Sequence, residues 1–110
     1  MSKALLINED GTTQKIDYTD YKELQKFVGG WIEGIHIGKN GFAYIDEEGK
    51  LKKKPINPLA TKIWHESLRK NNLTTNDFIV GKMILTGPAD DDGNDTDITN
   101  ETLEMVESLL

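Results

Sequence analysis

The apolar run Phe78-Ile79-Val80, taken up again at Met83-Ile84-Leu85, constrains this chain more than any other stretch. An edge strand with one wet face alternates apolar and polar side chains, so a run this continuous predicts a central strand covered on both faces. Gly81 interrupts it and predicts a bulge or a close approach by other backbone. Thr86-Gly87-Pro88 ends it, because proline cannot continue a ladder. The remainder of the chain has the opposite character. From Pro88 to Leu110 it carries Asp90, Asp91, Asp92, Asp95, Asp97, Glu101, Glu104 and Glu107 and no Lys or Arg, so within a net charge of -6 the first 87 residues come to +2. An acidic end of this density disfavours direct contact with nucleic acid and suits a basic partner or a cation.

Ahead of the run, the chain reads as strands interleaved with helices. Lys3 to Asn8 and Thr12 to Asp17 form a hairpin across Asn8-Glu9-Asp10-Gly11, residues that tolerate positive φ. Thr19 or Asp20 caps a helix with Tyr21, Leu24, Phe27 and Val28 on one face, and Gly29-Gly30 stops it. Trp31 to Ile37 alternates with neither side decisively apolar. Gly38-Lys39-Asn40-Gly41 turns the chain into a fourth strand, Phe42 to Asp46, and Glu47 to Lys50 turns it again toward a short Leu51-Lys52-Lys53-Lys54 strand. Asn57-Pro58 starts a helix running to about Lys70, with Ile63, Trp64 and Leu68 on its apolar side. Thr99 or Asn100 opens a last helix carrying Leu103, Val106, Leu109 and Leu110. The order is ββαβββαβα, which predicts one α+β domain over residues 1–110 with a mainly antiparallel sheet and helices packed against it.

A chain of 110 residues can bury about two-thirds of its unfolded surface without staples. It has no cysteine, so disulfides and thiolate metal sites are excluded and a reducing cytoplasm is the expected location, although this alone leaves secretion open. The apolar stretch Ala4 to Ile7 is too short for a signal peptide or a membrane span. No membrane partner is therefore expected, and the mature chain is expected to begin near Met1.

Enzyme and metal signatures fail on spacing. Asp90-x-Asp92-Gly93 looks like the middle of an EF-hand, yet setting Gly93 at loop position six puts Pro88 at position one and Thr99 at position twelve, where carboxylates are needed. Looser binding of Ca²⁺ or Mg²⁺ by Asp90, Asp92 and Asp95 is a weaker expectation, and no metal site is assigned. His36 and His65 lack a second ligand at metal spacing. Ser2, Ser67 and Ser108 sit in no nucleophile elbow, and there is no P-loop. A carboxylate pair such as Glu33 with Asp46 is of a kind any acidic chain offers. Hydrolysis by such a pair stays open but unsupported, and the expectation is a non-enzymatic protein without a cofactor.

A binding module has more support. Trp31 beside Gly29-Gly30 offers a stacking surface and the run Lys52-Lys53-Lys54 offers phosphate charge. The Asn57 helix start and Thr86-Gly87 offer backbone amides. The set expected to bind a small nucleotide-like or phosphorylated ligand is Trp31, Glu33, Lys54, Asn57, Thr61, Thr86 and Gly87. Each has a structural counterpart: Trp31 and Trp64 as core, the lysines as an edge-strand guard, and Asn57 as a cap alone.

ALLIN with the following glycine, the helix ending in FVGGWIE, the YIDEEGKL turn, the NPLAT helix start and the stretch DFIVGKMILTGPADDDGN together resemble the family called domain of unknown function 3846. The resemblance spans almost the whole chain and carries no assigned catalytic or binding residues. It implies a small accessory protein of a phage or other mobile element, acting against host defence. Two functions are expected on this basis. The first is sequestration of a small nucleotide-like signal. The second is inhibition of a basic host defence protein by a DNA-like acidic surface of Asp90, Asp91, Asp92, Asp95 and Asp97. A homodimer is compatible with either.

Overall fold

The central strand falls where the apolar run ends. In the computed structural model, which describes residues 2–110, β5 (Met83–Thr86) is buried at every position. The expectation for Met1 lies outside the described residues. β5 is flanked by β1 (Ser2–Ile7) and β4 (Phe42–Asp46), with β2 (Thr13–Tyr18) and β3 (Ile32–His36) outside them. The result is a five-stranded sheet of order β2-β1-β5-β4-β3 in which every pairing is antiparallel. Side chains alternate across it. Leu5, Leu85 and Ala43 stand in register on one face, and Leu6, Ile84 and Tyr44 on the other.

Three helices cover these two faces. α2 (Pro58–Arg69) and α3 (Asn100–Leu109) pack Leu59, Ile63 and Val106 onto Leu5, Ile7, Ala43, Met83 and Leu85. α1 (Tyr21–Val28) packs Leu24 and Val28 onto Ala4, Leu6, Ile16, Tyr18 and Ile84. The caps agree with the sequence. Asp20 accepts the Glu23 amide, Gly29 closes α1 at φ 85°, and Thr99 accepts the Thr102 amide. Asn57 does more than cap. Its oxygen accepts the Ala60 amide while its side-chain nitrogen donates to the Ile7 and Gly81 carbonyls, which ties the start of α2 to β1. No helix among the described residues is long and apolar enough to cross a membrane.

The expected fold class and element order hold, with two local corrections. The Phe78–Leu85 run is not one strand: Val80 pairs only with Ile56, and Gly81 at φ 74° turns the chain before β5 begins. Leu51 to Lys53 forms turns rather than a strand, with Lys53 at φ 55°.

The acidic stretch after β5 folds back over the α1 face. Asp95 accepts the hydroxyls of Tyr18 at 2.5 Å and Tyr44 at 2.7 Å, and Asp97 accepts the Lys3 amide at 2.8 Å. Gly87 lies so close beneath this return that a Cβ would stand 2.1 Å from the Asp97 carbonyl. Burial first, then the hydrogen bond to Asp95, raises both phenols well above their ordinary 10.0. The folded state therefore holds these protons more tightly than the unfolded chain, and the stability they contribute is complete below pH 10 and drains away above it. Melting temperature followed against pH should fall above about pH 10, and the Tyr18→Phe/Tyr44→Phe variant should lose that part of the alkaline limb. Asp95→Ala removes two hydrogen bonds to a charged group and should cost about 2–4 kcal/mol in a urea melt; a loss under about 0.5 kcal/mol, the level of an ordinary surface change, would contradict the latch.

Candidate functional site

A buried carboxylate organises the end of α1. The Asp46 side chain has 0% exposure and accepts from Lys54 at 2.6 Å, from Lys52 at 3.0 Å, and from the Glu48 amide at 2.8 Å. The same ammonium groups reach the last carbonyls of α1, Lys54 to Val28 at 2.8 Å and Lys52 to Gly29 at 3.3 Å, so two cations sit at the negative end of the helix dipole. Burial pushes the Asp46 carboxyl upward, but the Lys54 hydrogen bond, the Glu48 amide and Lys52 together outweigh it and hold the group below its ordinary 3.8. A Cβ at Gly30 would stand 2.5 Å from the Lys52 nitrogen and 2.9 Å from an Asp46 oxygen, so a side chain there would displace this pair.

Trp31 emerges from this anchor. Its carbonyl is fixed by the Glu47 amide at 2.8 Å, and its side chain is 65% exposed. It borders a cleft of about 590 Å³ whose other walls are Lys22, Gln25 and Lys26 of α1, the Gly29-Gly30 backbone, Glu48 and Lys52. Lys22 and Lys26 are four residues apart on the outer side of α1 and enter no ion pair among the described residues. Lys22 and Lys26 against Glu48 make the cleft locally basic in a chain of net charge -6, while Lys52 is paired with Asp46. An exposed indole face with cations around it can stack a planar ring and hold the phosphates attached to it.

The expected binding residues do not converge. Of the seven, Trp31 alone lines this cleft. Lys54 is taken up by Asp46 and Val28. Asn57 is fully buried, and Thr61 donates to the Asn57 carbonyl while accepting the Ile79 amide. Thr86 is fully buried with its hydroxyl on the Gly87 carbonyl, and the Gly87 amide donates to Thr96. Glu33 lies beside Trp64 on the α2 side of the sheet. The glycine amides of the cleft are engaged as well, since Gly29 and Gly30 both donate to the Gln25 carbonyl. Sequence reasoning missed Lys22, Gln25 and Lys26. Their spacing on the side of α1 opposite Leu24 and Val28, one turn ahead of Gly-Gly-Trp, was the available signal.

The acids divide in the same way. Asp90 accepts the Asp92 and Asn94 amides, Asp95 holds the tyrosines and Asp97 holds Lys3, which leaves Asp91 and Asp92 with outward side chains. Among the described residues no three His, Asp or Glu side chains form a metal-holding group. His65 contacts the Asp77 carbonyl at 2.7 Å, and His36 meets the Phe42 ring edge-on.

A family model described as Domain of unknown function (DUF3846) matches residues 1–110, the whole chain. No curated protein and no solved structure matches it.

The anchor predicts distinct effects for two neighbouring lysines. Lys54→Ala leaves the buried Asp46 carboxylate with one cation and should destabilise by about 2–4 kcal/mol, whereas Lys52→Ala, at a half-exposed position, should cost about 1 kcal/mol. Equal losses in a urea melt would contradict this division. Because the folded state depresses the Asp46 carboxyl, its stabilisation is present above pH 3.8 and is lost as pH falls below it. Asp46→Asn should accordingly flatten the acid limb of the melting curve.

Proposed function

We propose that this chain, which belongs to the DUF3846 family, binds a small nucleotide-like or phosphorylated molecule in the Trp31 cleft and holds it without chemical change. The observation that carries the reading is a tryptophan left 65% exposed at the rim of a cleft walled by three lysines. An indole in water forgoes the burial that usually holds large aromatics, and a flat partner over its face restores it. Lys22 and Lys26 supply charge at flexible tips, so they fit phosphates better than a carboxylate of fixed geometry. The residues lining the cleft include no Ser, His or Cys and a single acid, Glu48, which favours binding over catalysis.

Sequestration of a host defence signal is the role we attach to this binding, on the family resemblance. The alternative of an acidic inhibitory surface has less in its favour. Asp95 is taken up by two phenols, and Asp90 and Asp97, though exposed, already accept backbone amides, so Asp91 and Asp92 with the α3 glutamates are a thin mimic of a phosphate ladder.

Trp31 supplies its own reporter, being exposed where Trp64 is partly buried. Titration with cyclic dinucleotides, ADP-ribose and mononucleotides should quench and blue-shift the emission for one class. At about 100 times its dissociation constant that ligand should add about 2.7 kcal/mol, or roughly ten degrees of melting temperature. Trp31→Ala should weaken binding by about 5- to 150-fold, from a stacking contribution of about 1–3 kcal/mol. Lys22→Ala/Lys26→Ala should weaken it further and reduce its salt dependence. Undiminished binding by Trp31→Ala, or no response to any nucleotide, would sink the reading.

A further inference from the structure

We propose that the free edge of β3 is a strand-addition site for an extended, basic segment of a partner protein. The sheet has two edges, β2 and β3, and they differ. β2 carries Lys15, a charge of the kind that keeps natural edges from pairing, whereas β3 reads Ile32-Glu33-Gly34-Ile35-His36 with no lysine and no proline. Its register with β4 is unbroken from Ile32↔Asp46 to His36↔Phe42, so no bulge twists it away. The Trp31 carbonyl accepts from Glu47 and the Ile37 amide donates to Gly41, both toward β4. Alternation along an antiparallel ladder then aims the backbone groups of Ile32, Gly34 and His36 outward.

A groove of about 300 Å³ runs beside this edge on the α2 side. Ile35, Ile45 and Trp64 line its inner part, and Leu51 and Phe78, 83% and 40% exposed, stand at its mouth. Its one cation, Lys50, is engaged by Asp77 and lies 4.9 Å over the Phe78 ring. Glu33 and Glu47 on the rim enter no ion pair among the described residues. Such a surface matches a strand whose main chain pairs with β3, whose apolar side chains drop into the groove, and whose Lys or Arg side chains meet Glu33 and Glu47. A second copy of this chain fits less well, because it would set the same acidic rim against itself within a net charge of -6 per chain.

The test uses the full chain and three fluorescein-labelled probes: a seven-residue peptide alternating Lys and Val, its Glu/Val counterpart, and the Lys/Val peptide N-methylated at alternate backbone nitrogens. In fluorescence anisotropy the Lys/Val peptide should bind, the Glu/Val peptide should not, and N-methylation should weaken binding at least tenfold. In amide exchange by NMR, protection should appear at Ile32, Gly34 and His36. Glu33→Lys/Glu47→Lys, at two exposed positions, should reverse the preference between the two unmethylated peptides while the circular dichroism stays unchanged. The proposal is overturned by indifference to N-methylation, by protection mapping to the acidic loop, by no binding at millimolar peptide, or by concentration-dependent dimerisation that protects these same β3 amides without peptide.

Discussion

A carboxylate with no solvent exposure is unfavourable to ionise, and Asp46 is kept charged by two lysines that are themselves bridged to the last carbonyls of α1. Removing ions from water costs several kcal/mol each unless geometry and further hydrogen bonds offset it. Here the compensation is shared: one Asp46 oxygen faces both ammonium groups, the other takes the Glu48 amide, and the lysines' remaining hydrogens serve the orphan helix carbonyls. The end of β4, the turns from Glu47 to Lys53 and the C-terminus of α1 thus meet at one point. The exit path of Trp31 is set there. The candidate cleft is therefore built around a structural anchor.

The rest of the molecule positions this anchor through the sheet. β5 is covered on both faces, so Ile84 serves the α1 core and Leu85 the α2 and α3 core. Each fully buried aliphatic side chain contributes about 1.5–3 kcal/mol, which makes this short strand the mechanical link between the two layers. Asn57 ties the start of α2 to the sheet at Ile7 and Gly81, and on the α1 face Asp95 bridges Tyr18 of β2 and Tyr44 of β4. These ties are buried or partly buried and satisfied: no buried side-chain nitrogen or oxygen among the described residues lacks a partner.

What was legible in the sequence was local. Caps at Asp20, Asn57 and Thr99, the stop at Gly29 and the break at Gly81 come from residue chemistry within a few positions, and all appear in the fold. What was not legible depends on pairs brought together by topology. Lys54 reads as phosphate charge until the Val28 carbonyl, 26 residues away, is seen to receive it. Asp95 reads as one more surface acid until Tyr18, 77 residues away, donates to it. The Leu51-Lys52-Lys53-Lys54 run has strand-like neighbours, yet pulling two of its ammonium groups inward to Asp46 requires tight turns rather than an extended strand. For the candidate site the sequence located the aromatic residue and misplaced the cations, because charge runs are visible in a sequence and charge partners are not.

The division of the acids carries the consequence to the molecular surface. A segment with eight carboxylates and no cation should stand away from the body of the protein, since its charges repel one another. It is held down because two of those carboxylates accept hydrogen bonds from the body of the protein, Asp95 from two phenols and Asp97 from the Lys3 amide, while Asp90 closes the turn within the segment. Such bonds to a charged acceptor contribute about 1.5–3 kcal/mol, more than the repulsion between exposed acids a Debye length apart. The segment is thereby pinned over Tyr18 and over Tyr44 in the middle of β4, while the basic cleft lies beyond Asp46 at the end of that strand. The fold thus keeps the tethered acidic segment and the lysines beside Trp31 on different parts of the surface.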